Sequence, residues 1–277
     1  MNSPFLIAQI SDLHLKADQK LTYGVVDCLG ALRRAVDHLN ASQPRPDIVV
    51  ISGDLVDFGR PDEYAVLKRE LARLHMPVYL VPGNHDDREQ LLAGFTHHRY
   101  LPTDANAPLD WVVEDHPVRL IGLDSTRPGA HGGQVLDSQL CWLDEQLSRR
   151  PNVPTLLILH HPPFITGIGH MDRESFINAA ALEALVARHP QIERLLCGHL
   201  HRPMQRRFGG SLSCVCPGTS HQIVLDLEAS APAHFNLEPA GYLVHRWHPQ
   251  YGLVTHNAVF GEYAGPYPFY DVHGLID

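Results

Sequence analysis

The chain has no block of like-charged side chains, no long apolar run and few cysteines, and each shortage removes a class of function. Lysine and arginine number 22 against 31 acidic residues, a formal charge of -9 with 20 histidines neutral. Without clustered cations nothing displaces counterions from a polyanion, so a nucleic acid polymer is not an expected ligand. No stretch approaches the ~18 apolar residues of a membrane span, so no membrane partner is expected. Phe5–Ile10 is too short for a signal h-region and has no basic flank. Five cysteines, an odd count, cannot close a full disulfide set. Cys28, Cys141 and Cys197 fall in apolar stretches and read as small buried hydrophobes, while Cys214 and Cys216 would share a strand face with no CxxC partner. We expect a soluble, cytoplasmic protein in a reducing compartment.

What is present is an alternation of short β-rich runs with helical stripes, the pattern of an α/β fold. Strands are predicted at 5–10, 47–52, 78–81, 118–123, 155–159 and 194–197. Val25, Leu29, Leu32, Val36 and Leu39 recur at helical spacing, and a second helix is announced by Pro61 with Asp62 and Glu63 in its first turn. Its stripe, Tyr64, Leu67, Leu71 and Leu74, stops before Pro77. Weaker helical patterns cover 138–149 and 174–189. Strand-like runs follow at 241–247 and 252–260, then a proline-interrupted aromatic tail, Tyr263 to Tyr270, suited either to self-packing or to a subunit contact. No repeat or linker divides the chain. We expect residues 1–221 to form a catalytic core and 222–277 to add C-terminal strands and the tail to the same domain.

Chemistry gathers where the strands end. The clusters are Asp12-x-His14, Gly53-Asp54-x-x-Asp57, Gly83-Asn84-His85-Asp86, His160-His161 and Gly198-His199-x-His201. Ligands of α/β sheets bind beyond the carboxyl ends of strands, so five such clusters can meet in one crevice. In an extended Asp12-x-His14 both side chains point the same way and can grip one ion; His199-x-His201 repeats this with two imidazoles. The glycines at 53, 83 and 198 admit sharp turns and φ > 0. Asp54 can give one oxygen to each of two cations. Singly these signals are weak: GDxxD is also a turn with a capping aspartate, and a lone histidine is usually a hydrogen-bonded core residue. Five clusters in order are not explained that way.

The five clusters resemble the motif blocks of the calcineurin-like metallophosphoesterases, and their spacing is similar to that of bacterial class III cyclic-nucleotide phosphodiesterases and the related glycerophosphodiesterase. The resemblance implies a four-layer αββα sandwich with a dinuclear centre at one edge and an elaborated C-terminal part. It implies one metal held by Asp12, His14, Asp54 and His201 and another by Asp54, Asn84, His160 and His199. His85 would be the catalytic proton donor or charge stabiliser beside the phosphate, with Asn84, His161 and His221 at the substrate. A donor set without thiolate suits Fe, Mn, Zn or Co. Asp57 and Asp86 read as supports for imidazoles or turns. Arg127 and Arg202 are candidates for phosphate pairing, and 85–124 and 163–174 for pocket walls.

The expected function is hydrolysis of small phosphodiesters, 3',5'-cyclic nucleotides such as cAMP or glycerophosphodiesters, by a hydroxide shared between two divalent cations. The alternatives are a phosphomonoesterase or nuclease on the same scaffold, or a non-catalytic interaction module, which would have lost ligands that are all present here. The aromatic tail and the resembled subgroup point to a homodimer or higher homo-oligomer.

Overall fold

Three β-α units open the chain of the computed structural model, which describes residues 4–276. They are β1 (Phe5–Ile10) with α1 (Cys28–Ala41), β2 (Ile48–Ile51) with α2 (Pro61–Leu71), and β3 (Val78–Leu80) with α3 (Arg88–Gly94). A second series follows: β4 (Trp111–Val113), β5 (Arg119–Gly122), α4 (Asp137–Arg149), β6 (Thr155–Ile158), α5 (Ala179–Arg188) and β7 (Ile192–Cys197). The rest is strand: β8 (Met204–Phe208), β9 (Ser211–Val215), β10 (Gln222–Ile223), β11 (Phe235–Asn236), β12 (Gly241–His248), β13 (Gly252–Val259), β14 (Tyr270–Asp271) and β15 (Gly274–Leu275).

Two mixed sheets result, ordered β13-β12-β1-β2-β3 and β4-β5-β6-β7-β9-β8. The central strands read as unbroken apolar runs because both of their faces are covered. Along them the side chains alternate between two cores. Leu120, Leu156, Ile158 and Leu196 join the core shared with the first sheet. Ile121, Leu157, Leu195 and Cys197 face the core that holds Leu143 and Leu147 of α4 and Leu182, Leu185 and Val186 of α5. With α1 and α2 on the first sheet, this is an αββα sandwich. β12 pairs antiparallel with β1, from Phe5 opposite Trp247 to Gln9 opposite Leu243, so residues beyond 221 complete the first sheet. No helix among the described residues is long and apolar enough to cross a membrane.

Several local expectations are corrected. Val25 is 60 % exposed and precedes the Asp27 cap of α1, so the buried stripe begins at Cys28. Leu74 lies beyond α2. Residues 174–178 are not helical: Ile177 bridges Gln134, and Asn178, at φ 66°, starts α5 late. Cys141 is exposed on α4, whereas the other four cysteines are buried; all five are free thiols. The segment 85–124 holds α3 and β4 instead of irregular pocket wall. The edge strand β8, whose middle is exposed Gln205, Arg206 and Arg207, has no apolar alternation to reveal it.

A line of polar side chains crosses between the sheets. Gln9 Nε2 donates to Ser52 Oγ (2.8 Å) and to the Cys197 carbonyl (2.9 Å), which leaves Gln9 Oε1 to accept from His245 Nε2 at 3.0 Å. His245 Nδ1 then accepts from Thr255 Oγ1 (2.9 Å), itself bonded by Arg194 (2.8 Å). Burial, followed by the nearby Arg194 charge, pushes His245 down to about 3. A histidine depressed in the fold contributes stability above its unfolded pKa of ~6.5, and that stability is lost as pH falls. By pH ~5 the loss attributable to this residue is about 2 kcal/mol. Denaturant unfolding at pH ~7.5 and ~5 should show His245→Gln losing less stability on acidification than the parent by roughly that amount. Equal losses would mean that His245 is not held neutral.

Candidate metal centre

The strand ends that carry the five clusters are stitched to one another by backbone hydrogen bonds. Asp12 N donates to the Gly53 carbonyl (3.1 Å), Leu13 N to the Asp54 carbonyl (2.8 Å), Gly198 N to the His160 carbonyl (2.9 Å) and Thr219 N to the Ser11 carbonyl (3.1 Å). The residues between the donors, Leu13, Leu55 and Leu200, are at most 1 % exposed and plug the loops into the cores. Three of the five clusters therefore have an apolar anchor and a polar tip.

The loops are not extended. Asp12, His14, Asp54, His199 and His201 all sit at positive φ, between 42° and 70°, a conformation that costs a side-chain-bearing residue about 1–3 kcal/mol. Asp12 and His14 do converge, through left-handed turns and not through the period of a strand. His199 and His201 part company: His201 joins Asp12, His14 and Asp54, whereas His199 groups with His160 and His161. Of the three motif glycines only Gly53 has positive φ (96°). Gly198 is needed for close approach, since a Cβ there would run into Ser11 Oγ and the Ser52 carbonyl.

Hydrogen bonding fixes which ring nitrogen faces inward. His14 Nδ1 donates to Asp57 Oδ1 (3.2 Å), His160 Nδ1 to the Ser52 carbonyl (2.8 Å), His201 Nδ1 to the His221 carbonyl (3.2 Å) and His85 Nδ1 to the Asp57 carbonyl (2.9 Å). All four spend Nδ1–H on an oxygen behind them and present Nε2, as imidazoles that bind metals do. His14 Nε2 stands 3.1 Å from His201 Nε2. Asp54 Oδ2 lies 3.5 Å from His14 Nε2 and 3.3 Å from His160 Nε2, so one carboxylate oxygen faces both groups. Asp12 Oδ1 is 3.4 Å from His201 Nε2 and accepts from His199 N at 2.9 Å.

Electrostatics describes a site made for positive charge. Burial raises Asp12 to about 6, against the pull of His160. Burial acts on Asp54 in the same direction, but the His160, His85 and His14 imidazoles outweigh it and hold Asp54 well below the usual carboxylate range. His199 is pushed down to about 3 by burial and then by His160; His201 is also driven well down, by burial and by His221 and His14. Neutral imidazoles keep a lone pair to donate. Asp12 Oδ2 and His160 Nε2 are buried without a hydrogen-bond partner, and the Nε2 atoms of His14 and His201 face each other. Such orphaned donors are costly unless an ion or water satisfies them. The residues present fit divalent cations.

The other expected site residues divide. Asn84, His85 and His221 line a cavity of about 530 Å³ above these donors. His161 does not line it. Its Nδ1 accepts from Ser125 Oγ (2.9 Å), and Nε2 donates to the His131 carbonyl (3.0 Å) and Asn84 Oδ1 (3.2 Å). With both nitrogens engaged behind Asn84, His161 is not placed to touch substrate. Asp57 supports His14, and Asp86 Oδ2 accepts from Leu55 N (3.0 Å) and Gly83 N (2.8 Å) while Tyr64 donates to Oδ1. Arg127 pairs with Glu174, and Arg202 with the Ile223 carbonyl and Glu238, so neither is free for phosphate. The loop 163–174 supplies His170, Met171, Arg173 and Glu174 to the wall. Tyr23, His131, His234 and Phe235 also line it, from segments that carry no motif by which sequence reasoning could have found them.

Residues 5–203 match the family model of the calcineurin-like phosphoesterases. The chain is 38% identical over 274 residues to a protein of Arcobacter nitrofigilis named "Probable glycerophosphodiester phosphodiesterase", covering 98% of this chain and 100% of that one. It is 31% identical over 217 residues to the 3',5'-cyclic adenosine monophosphate phosphodiesterase of Pseudomonas aeruginosa, covering 78% and 77%. A dimetal phosphatase from Danio rerio superposes with a TM-score of 0.63 at 16% identity, over 94% of this chain and 100% of that one, a likeness of fold.

Proposed function

The chain belongs to the calcineurin-like phosphoesterases, and from that premise we propose that it is a metal-dependent phosphodiesterase hydrolysing small diesters, glycerophosphodiesters or 3',5'-cyclic nucleotides. The observation that carries the reading is the shared Asp54 Oδ2, within 3.5 Å of imidazoles from both donor groups. Asp12, His14, Asp54 and His201 would hold one divalent cation, and Asp54, Asn84, His160 and His199 a second, with Fe, Mn, Zn or Co suited to these donors. Cations held there supply Lewis acidity, neutralising phosphoryl oxygens and lowering the pKa of water.

The remaining work belongs to side chains. Asp57 anchors the His14 ring and, through its carbonyl, the His85 ring. With Nδ1 engaged, His85 presents Nε2 to the cavity. As the water oxygen bonds to phosphorus and the bond to the alcohol oxygen breaks, a protonated Nε2 gives its proton to that oxygen. His161 holds the Asn84 carboxamide from behind. Tyr23 and Phe235, with ring centroids 5.0 Å apart on the wall, favour cyclic nucleotides as a second substrate class, because a base can stack there.

Chelated protein should be inactive, and added Mn²⁺ should restore cleavage of bis(p-nitrophenyl) phosphate over p-nitrophenyl phosphate. A preference for the monoester, or full activity after chelation, would refute the reading. We also propose a cytoplasmic homo-oligomer: Tyr263, Tyr267, Phe269 and Tyr270 are 61 to 78 % exposed, which supports the tail as a contact between copies.

A further inference from the structure

The cavity wall carries charge that the hydrolysis of a simple diester does not use. A phosphodiester has a single negative charge at its phosphate, and the donors of the metal centre already answer for it. Yet the mouth of the cavity holds Arg173 together with His170 and His234. Arg173 and His234 are exposed and His170 is half-buried.

Two carboxylates flank Arg173 in sequence, and both are committed elsewhere. Glu174 pairs with Arg127 Nη2 (2.6 Å) and accepts from Gly132 N (3.0 Å). Asp172 caps its own loop, accepting from Thr166 N (2.9 Å), Thr166 Oγ1 (2.9 Å) and Gly167 N (2.7 Å). Among the described residues no carboxylate forms an ion pair with Arg173. Burial first, and then the positive neighbours Arg173 and His234, lower His170, against the opposing pull of the Asp172 carboxylate. The other acidic side chain of the wall, Asp54, belongs to the metal centre.

The loop that carries this cluster is held in shape. Its Gly169 backbone rests against the Ala229 carbonyl of the strand-poor segment before β11, where a Cβ would collide. Arg173 and His170 thus come from one loop and His234 from the segment packed on it. The guanidinium is a rigid fork matched to a carboxylate, and it is an anion-recognising group by default when no acid in the protein claims it. One guanidinium that lines the cavity suits a single negative charge better than a dianion.

We propose that Arg173, flanked by His170 and His234, recognises a carboxylate on the alcohol substituent of the phosphodiester. The wall then selects diesters with two separated negative charges, one hydrolysed at the metal centre and the other held at the mouth. The proposal rests on the phosphodiesterase reading and adds a substrate feature to it.

Glycerophosphoserine and glycerophosphoethanolamine differ by one carboxylate and form a matched pair. Each is measured as a competitive inhibitor of bis(p-nitrophenyl) phosphate hydrolysis by the Mn²⁺-loaded protein, which reads binding whether or not it is itself cleaved. The parent should bind the serine diester about 10-fold more tightly, the size of one charge-assisted contact. In Arg173→Met the ratio of the two inhibition constants should collapse toward one, and in Arg173→Lys it should lie between. A parent ratio near one, or a preference that survives in Arg173→Met, overturns the proposal. If the parent fails to cleave bis(p-nitrophenyl) phosphate at all, the phosphodiesterase reading has failed instead. Titration calorimetry with the same two ligands then reads the same ratio without turnover.

Discussion

Asp54→Ala is expected to lower kcat/KM for a phosphodiester by more than ~10³-fold, because it removes electrostatic stabilisation of a kind worth several kcal/mol in the transition state. The reason is positional. Asp54 Oδ2 faces His14 Nε2 and His160 Nε2 at once, and Asp54 Oδ1 accepts from His85 N at 3.0 Å. One substitution therefore damages both donor groups and loosens the loop that carries Asn84 and His85. Bound Mn²⁺, measured by elemental analysis after desalting, should fall together with activity. The chelated variant should melt below the chelated parent, since His160, His85 and His14 hold Asp54 ionised and its loss leaves those imidazoles without their buried counter-charge. Undiminished activity with full metal content would show that Asp54 does not join the two groups.

His85→Ala is expected to act through the leaving group. An alkoxide needs a proton to depart, whereas p-nitrophenolate does not, and general acid catalysis is worth roughly 10²- to 10⁴-fold where it is needed. The variant should lose at least ~10²-fold on a glycerophosphodiester and less than ~10-fold on bis(p-nitrophenyl) phosphate. Uniform losses on both would assign His85 to charge stabilisation instead. The geometry favours the proton-donor role, because the Asp57 carbonyl takes Nδ1–H and fixes the ring. Metal content should stay at the parent level, which separates this variant from Asp54→Ala.

The two variants probe features that were unequally visible in the chain. The apolar runs that became β1, β2, β5, β6 and the end of β7 are legible because both faces are buried there, so local composition reports their environment. β8 was hidden because Gln205, Arg206 and Arg207 lie on an exposed edge, where packing imposes no pattern. The helical pattern over 174–189 starts five residues ahead of α5, because Ile177 pairs with Gln134 instead of entering the helix. In the site, polar residues at strand ends were conspicuous against apolar neighbours. His161 was equally conspicuous, yet its environment of Ser125, His131 and Asn84 comes from three separate segments and could not be read beside it.

Residue order alone determined the donor types, their placement after particular strands and the alternation of strands with helices, because each is a matter of local chemistry and of period along one segment. Only the tertiary structure decided how the donors divide, which ring nitrogen each presents and what walls the cavity. His199 and His201 are two residues apart and enter different groups, while Asp12 and His201 are distant in the chain and 3.4 Å apart in space. Those partnerships depend on left-handed turns at the strand ends and on the register of two stacked sheets, and neither property leaves a periodic trace in sequence.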